Sequence, residues 1–165
     1  SAGHKSIQLL AGIGQQVERC GLPTGANASI DTLLAFARLH LERERNARAR
    51  VIVQDRCLLD LLAYSRVVTG PGSRITGLVR ELAMWRMHQL ERLIVIVTRL
   101  LRGATRNRIS CETKEMRMRI ERETIRVVRE LAPFHVILTG APYKRLGRAL
   151  LVIRRQLLPD LARPG

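Results

Sequence analysis

An Asp–Arg pair stands where a predicted strand ends and a predicted helix begins. The strand runs from Val51 to Gln54, and an apolar helical pattern starts at about Cys57. In an open α/β sheet ligands bind at the carboxyl ends of strands, which is where Asp55 and Arg56 fall. A carboxylate there can hold hydrated Mg²⁺ or accept a proton, and an arginine can clamp a phosphate. The alternative is a surface ion pair that caps the helix, since Asp is a favoured N-cap residue.

A second candidate is a group of arginines in a basic loop and on the helix that follows it. Arg119 and Arg122 are three residues apart, so they share one helix face. Arginines grouped in this way stabilise transferring phosphoryl groups in lids. The alternative is a solvated helix on which neighbouring glutamates neutralise the arginines. The whole group consists of Arg106, Arg108, Arg117, Arg119 and Arg122.

A third candidate is the segment "LTGAPYKR", in which a strand runs into Gly140 and a helix starts near Lys144 and Arg145. The backbone here could hold a flat base, with Arg145 nearby. Other familiar chemistries find no support, because the four histidines lack partner spacing and no H-E-x-x-H motif or Ser/His/Asp grouping occurs.

The charge of the chain indicates an anionic partner. Its 165 residues carry 29 Lys and Arg against 14 Asp and Glu, a formal net charge of +15. A nucleotide, a nucleic acid or an acidic protein would complement this charge. The alternative is that arginine simply replaces lysine on solvated faces. The length and the 46% hydrophobic content fit one globular domain, residues 1–165, with an aliphatic core.

The cysteines and the apolar runs indicate a compartment. Cys20, Cys57 and Cys111 are far apart, so neither a metal site nor a disulfide framework is predicted, and a reducing cytoplasm is expected. No signal peptide is expected in residues 1–14. The longest apolar run, "LIVIVT", is much shorter than a membrane span, and no membrane partner is expected.

The elements that would position these residues alternate between strands and helices. Strands are predicted near residues 51–54, 93–98 and 134–139, and helices at about 5–20, 29–45, 57–68, 75–92, 112–131 and 143–158. The charged end of the second helix, "ERERNARAR", is expected to be solvated. This alternation predicts an α/β fold in which helices cover both faces of a parallel sheet, a three-layer arrangement.

The order of these segments resembles a family. "VIVQDRCLLDLLAY" is similar to the D-R-x-x-x-D-x-x-A-Y segment of bacterial P-loop kinase-like ATPases of the nicotinamide-riboside-kinase and deoxynucleoside-kinase type. "LIVIVT" resembles their next core strand. "RNRISCETKEMRMRIERETIRVV" resembles their arginine-rich lid and following helix. "FHVILTGAPYKRLGRAL" resembles their last core strand and adenine-side loop, so the likeness covers roughly residues 7 to 158.

The resemblance implies an ATP- and Mg²⁺-dependent phosphotransferase acting on a small, nucleoside-like acceptor. It places Asp55 beside the transferred phosphoryl group and the metal, and Arg56 against the substrate. It implies phosphate contacts for Arg117 and Arg119 within a lid that also holds Arg106, Arg108 and Arg122. Gly140 and Arg145 would lie on the nucleotide-base side.

The chain departs from this family at its N-terminus. The family begins with a strand that runs into G-x-x-x-x-G-K-[ST], a loop whose backbone and lysine hold the phosphates. Here "SAGHKS" carries only a degenerate version, and Lys5 would bind nucleotide only if that segment were a P-loop. The resemblance therefore implies a P-loop-like sheet whose first strand is missing. Two functions remain open: a kinase-like ATP-binding protein with little or no activity, and a non-catalytic basic domain that binds nucleic acid or an acidic partner.

Overall fold

The computed structural model describes residues 7–49, 51–90, 95–98 and 113–157, and strands and helices alternate along most of them. The strands are β1 (Ile7–Leu10), β2 (Val51–Gln54), β3 (Val95–Thr98) and β4 (His135–Leu138). The α-helices are α1 (Ile13–Arg19), α2 (Ile30–Asn46), α3 (Leu58–Val68), α4 (Arg74–His88), α5 (Lys114–Leu131) and α6 (Pro142–Leu157).

The strands form two small parallel sheets. β1 pairs with β2, with Leu10 opposite Gln54, and β3 pairs with β4, with Thr98 opposite Leu138. The α/β class is therefore confirmed, as is the prediction that the second and third predicted strands are parallel neighbours. Within the described residues the fold is mostly helical, and the two sheets are not hydrogen-bonded to each other.

The N-terminal part of the chain corrects two predictions. The helix predicted from Lys5 to Cys20 is wrong over its first half, because Ile7–Leu10 is a strand and the helix begins only at Ile13. The apolar residues of this segment satisfy helical spacing, yet pairing with β2 gives their backbone groups partners that local periodicity does not reveal. The expectation that the first strand is missing is therefore also wrong: a parallel strand precedes β2 in the chain and lies beside it.

The core is centred on α3, which packs against α4 and α5. Leu62 of α3 is fully buried, as are Val127 and Val128 of α5. The apolar spacing of α5 predicts that Met116, Ile120, Val127 (or Val128) and Leu131 face inward, and all of these except the half-buried Leu131 are buried. The core is aliphatic, as the 3% aromatic content implies.

The apolar spacing of α2 predicts an inward face of Ile30, Leu33, Leu34, Ala37 and Leu41, and the buried face differs from it in part. Leu33, Ala37 and His40 are buried, whereas Ile30 and Leu34 are 56% and 49% exposed. His40 lies seven residues after Leu33, so a polar side chain continues the apolar stripe along the same helix face. One side of the polar end of α2 is therefore buried, at His40 and the Glu44 side chain, whereas Glu42 and Arg45 are exposed.

Candidate functional site

The carboxyl ends of β1 and β2 meet at one edge of their sheet. The backbone N–H of Asp55 donates a hydrogen bond of 2.9 Å to the carbonyl of Leu10, one step beyond the paired strands. This bond places Asp55 and Arg56 beside the turn formed by Ala11 and Gly12. We call these four residues, Ala11, Gly12, Asp55 and Arg56, the DR edge.

The carboxylate of Asp55 is available for a ligand. Asp55 is exposed, and its side chain makes no hydrogen bond or ion pair with any residue of the described ranges. The alternative prediction, in which Asp55 caps the next helix, is wrong because Cys57 is the N-cap of α3. Asp60 completes this cap by accepting a hydrogen bond of 3.0 Å from the Cys57 backbone N–H.

Arg56 has a backbone conformation that suits glycine. Its φ of 78° is the one positive φ of a non-glycine residue in the described part of the chain. This left-handed conformation costs roughly 1–2 kcal/mol, and such strained residues cluster at functional sites. The guanidinium lies 3.4 Å from Asp60, but the Arg56 side chain is 67% exposed, so this ion pair contributes little stability. The arginine is therefore free to reorient toward a ligand.

The thiol of Cys57 takes no part in covalent chemistry at neutral pH. Burial, with the nearby Asp60 carboxylate, raises the pKa of Cys57 to about 12. The thiolate is the nucleophilic form of cysteine, and it is scarce at neutral pH when the pKa is so high. Cys57 acts instead as the N-cap that fixes the start of α3 directly after the DR edge.

Arg43 is a residue of this region that the sequence patterns did not reveal. Its guanidinium donates one hydrogen bond to the carbonyl of Ala11 and another, of 2.8 Å, to Oε1 of Gln16. The charged end of α2 is solvated as predicted at Glu42, Arg45 and Arg48, which are exposed. Arg43 departs from the prediction because it is half-buried and makes these two contacts. Arg43 places a positive charge at the turn between β1 and α1, and the helical spacing that continues from Leu33 is the signal that could have placed one side of this end of α2 inside.

Glu44 links α2 to two other elements behind the DR edge. Its side chain is 8% exposed and forms an ion pair with Nε of Arg86 on α4. Its other carboxylate oxygen accepts a hydrogen bond of 2.7 Å from Nε2 of Gln54, the last residue of β2. One buried carboxylate thus joins α2, β2 and α4, and it fixes the strand end that presents Asp55.

His40 lies one helical turn before Glu44 and is 2% exposed. Burial lowers the pKa of His40, because the neutral imidazole loses less hydration than the cation; this effect outweighs the attraction of Glu44 and Asp60, and Arg43 adds to it. No residue of the described ranges donates to or accepts from Nδ1 of His40. The neutral His40 is a structural residue, as its place on an apolar helix predicts.

The low pKa of His40 should make stability depend on pH. Below pH 6.5, the ordinary histidine value, the unfolded chain takes up a proton that the folded chain does not, so stability falls until pH drops below the folded pKa. At pH 5.5 this loss amounts to at most about 1.4 kcal/mol. Urea denaturation at pH 7.5 and 5.5 should show this loss in the natural chain and a smaller one in His40→Gln. The matched control is His88→Gln, at an exposed position. If the stability of His88→Gln changes with pH in the same way as that of His40→Gln, the prediction is contradicted.

Two of the arginines predicted for a lid, Arg119 and Arg122, lie on α5 beside the C-terminal end of α3. Arg119 and Arg122 line a pocket of about 320 Å³ together with Val67 and Pro71. These two partners lie at the end of α3 and just beyond it, whereas Arg56 precedes its start. The eleven residues of α3 span roughly 16 Å at 1.5 Å per residue. The structure therefore does not bring the Asp–Arg pair and these arginines into one pocket.

The other predicted site residues are spread along the chain. Arg117 lies on α5 and is absent from the residues lining that pocket. Gly140, with a φ of 94°, follows β4, and Arg145 is half-buried in the first turn of α6. Both belong to the carboxyl edge of the β3–β4 sheet rather than to the DR edge. Arg106, Arg108 and Lys5 lie outside the described residues, but the chain directly after Lys5 forms a strand, whereas a P-loop opens a helix.

The turn between β1 and α1 lacks the residues of a P-loop. A strand, a turn and a helix follow one another here, as they do around a P-loop. The turn and the start of the helix read "AGIGQQV", without a lysine, serine or threonine. Gly12 has a φ of 78°, a left-handed conformation that glycine adopts without strain.

The DR edge offers one carboxylate to a metal. Over residues 7–49, 51–90, 95–98 and 113–157 no three His, Cys, Asp or Glu side chains come together as a metal site. Mg²⁺ is nevertheless often held by one or two carboxylates, substrate phosphates and water. Asp55 therefore fits Mg²⁺ that arrives with a nucleotide and does not form a metal site of its own.

Comparisons with known proteins do not assign the chain to a family. No protein-family model matches the chain, and no curated protein matches it significantly. None of the described helices combines the length and the apolar character that crossing a lipid bilayer requires. The geometry of the DR edge is therefore the basis for a functional proposal.

Proposed function

We propose that the chain is a kinase-like nucleotide-binding protein that holds the phosphates of ATP, with Mg²⁺, at the DR edge. The observation that carries this proposal is the unpaired carboxylate of Asp55 at the carboxyl end of β2, next to a strained arginine and a glycine turn. Parallel α/β sheets bind their ligands at this edge. In this proposal the two small sheets belong to one three-layer, P-loop-like domain.

Each residue of the DR edge has a role in this proposal. Gly12 has no side chain, so the phosphates can approach the backbone closely. Arg56 supplies a flexible guanidinium to the phosphate or to the nucleoside-like acceptor, because its side chain is mostly exposed. Asp55 holds Mg²⁺ through oxygen or water and would accept the proton of an acceptor hydroxyl. Arg43 adds a positive charge at the Ala11 carbonyl.

In this proposal the chain keeps affinity for the nucleotide but has little catalytic activity. The phosphate cradle of a P-loop depends on successive backbone N–H groups, a lysine, and a Ser or Thr hydroxyl on Mg²⁺. The turn after β1 lacks the lysine and the hydroxyl. Phosphoryl transfer is catalysed almost entirely by positioning and electrostatic stabilisation, so their loss reduces turnover more than affinity.

Nucleotide titrations test the proposal. The affinity for Mg²⁺–ATP should fall about tenfold or more in Asp55→Asn, and this loss should shrink when Mg²⁺ is replaced by EDTA. Arg56→Gln should also bind about tenfold more weakly, because a charged hydrogen bond contributes roughly 1.5–3 kcal/mol. Isothermal titration calorimetry at fixed ionic strength is a suitable measurement.

The matched control for Asp55→Asn is Asp31→Asn, which removes one exposed carboxylate in the first turn of α2. Its affinity for Mg²⁺–ATP should equal that of the natural chain. The proposal is wrong if the natural chain shows no Mg²⁺-dependent nucleotide binding, or if Asp55→Asn binds as tightly as Asp31→Asn.

A second candidate function is supported by the surplus of arginines. Within the described ranges, side chains without a hydrogen bond or ion pair include Arg117, Arg119, Arg129, Arg148, Arg154 and Arg155. A basic domain of this kind would bind nucleic acid through phosphates, with steep salt dependence and little sequence preference. Nucleic-acid binding that weakens steeply with salt and does not change in Asp55→Asn would favour this function.

A further inference from the structure

A groove at the opposite end of α3 from the DR edge is lined mainly by arginines. Arg66, Val67 and Pro71 line one side of it, from the end of α3 and the turn beyond. Arg119, Arg122 and Arg126 of α5 line the other side. The carboxylate of Glu123 on α5 also lines the groove, and we call the space between these seven residues the arginine groove.

The arginine groove contains fewer acidic partners than arginines. Glu123 is shared, because it lies 2.8 Å from Arg126 and 3.9 Å from Arg66. Glu130 binds Arg66 at 2.9 Å but is itself shared with Arg80 at 3.4 Å. Among the described residues, this leaves two arginines of the groove without an ion pair.

Arg119 and Arg122 are those two arginines. Neither forms an ion pair with a residue in the described part of the chain, and Arg122 donates only to the carbonyl of Met118 in its own helix, at 3.3 Å. Arg119, Arg122 and Arg126 follow one helix face at intervals of three and four residues, where like charges repel. An anion bound in the groove would relieve this repulsion.

The size and rigidity of the arginine groove fit a small anion-bearing molecule. Its volume of about 320 Å³ is at the lower end of the range for small-molecule sites. Arg66 forms a fixed wall, because its side chain is 12% exposed and is held by two glutamates. Guanidinium groups bind phosphate in a bidentate manner, whereas Val67 and Pro71 offer apolar contact to the remainder of a ligand.

We propose that the arginine groove binds a small phosphate-bearing molecule, at a site separate from the DR edge. The phosphate lies between Arg119 and Arg122, and the apolar side of the groove contacts the organic part. The length of α3, roughly 16 Å, separates this site from Arg56. The chain would therefore bind two phosphate ligands, one at each end of α3.

Titration with inorganic phosphate and with phenyl phosphate at constant ionic strength tests this proposal. The double variant Arg119→Gln/Arg122→Gln should bind both probes about tenfold or more weakly than the natural chain, because both bidentate partners are gone. The matched control is Arg129→Gln/Arg148→Gln, which lowers the net charge equally at two exposed positions outside the groove. This control should lose less than about twofold, as screening of distant charges predicts.

The two probes distinguish the source of the affinity. Tighter binding of phenyl phosphate than of free phosphate indicates an organic ligand that uses Val67 and Pro71, and equal binding indicates inorganic phosphate. Both results support a phosphate site. Circular dichroism of each variant establishes that it is folded, which is expected because all four substituted arginines are exposed.

The proposal is overturned if the groove variant and its control lose phosphate binding equally, since that result shows general charge attraction. It is also overturned if Asp55→Asn abolishes binding of the Mg²⁺-free probes, since the phosphate then binds at the DR edge. Loss of Mg²⁺–ATP affinity in Asp55→Asn is a separate observation. Failure of the groove and failure of the proposed nucleotide site are therefore distinguishable.

Discussion

Replacing Glu44 by Gln is expected to lower the free energy of unfolding by about 3 kcal/mol. Glu44 is the buried member of an ion pair with Arg86 and also accepts a hydrogen bond from Gln54. Removing one charge of a buried pair leaves the other charge desolvated without its partner, which costs more than the pair itself contributed. Arg86 is 21% exposed, so partial hydration keeps the loss at the lower end of the range for such pairs.

Glu42→Gln is the matched control, two residues away on the same helix. Its partner Arg38 has a 78% exposed side chain, and Glu42 itself is 48% exposed. The same chemical change there should alter stability by less than about 0.5 kcal/mol. Urea denaturation at pH 7 measures both effects. Equal losses in the two variants would contradict the interior role of Glu44.

A second variant separates the two contributions of Glu44. In Glu44→Gln/Arg86→Met no unpaired charge is left inside, so part of the stability should return. A double variant that is less stable than Glu44→Gln would mean that Arg86 has further stabilising contacts of its own.

Those parts of the fold that depend on local chemistry could be predicted from the sequence. Ser29 and Ser73 each accept a hydrogen bond from a backbone N–H three residues later, which is the N-cap geometry that their sequence contexts predict. β2 was predictable because Val51 to Gln54 is too short and too β-branched for a helix, with a turn directly after it. The amphipathic face of α5 was predictable because its apolar spacing is unambiguous.

β1 could not be predicted in this way. Ile7, Leu10, Ile13 and Val17 are spaced as the apolar residues of a single helix, and local propensity does not separate the two alternatives. The strand exists because its backbone pairs with residues more than forty positions away. A contact between distant segments leaves no local periodicity, so the end of the first strand and the turn at Gly12 became visible only in the folded chain.

The candidate site also contains residues that could be predicted from the sequence and residues that could not. Asp55 and Arg56 were predicted because a ligand site follows from a strand end. Arg43 and the buried side chain of Glu44 were not, since alternating charges at a helix end usually mean solvent exposure. Their contacts are with Ala11, Gln54 and Arg86, which are distant in the sequence, so the spacing of charges does not encode them.

The last prediction concerns turnover. The chain as it stands is expected to hydrolyse Mg²⁺–ATP very slowly or not at all. Loss of one well-placed electrostatic donor typically costs about a hundredfold or more in rate. Here both the lysine and the hydroxyl ligand of a P-loop are absent from the turn after β1, although such effects are not additive. In the proposed nucleotide-binding function β1 and α1 would supply the strand and the helix on either side of the loop, so the loop is the part to restore.

Replacing residues 11–14 by an eight-residue G-x-x-x-x-G-K-S segment should therefore raise ATP turnover by about a hundredfold or more. Phosphate release at saturating Mg²⁺–ATP measures the effect, and circular dichroism shows whether the grafted chain folds without the contact between Arg43 and Ala11. The same graft with methionine at the lysine position is the matched control and should remain as slow as the natural chain. The gain should disappear when Asp55→Asn is added to the graft, because the metal and the proton acceptor are then lost. A graft that is equally active with and without Asp55 would remove the DR edge from the mechanism, and rapid turnover by the natural chain would show that a phosphate cradle exists without the loop.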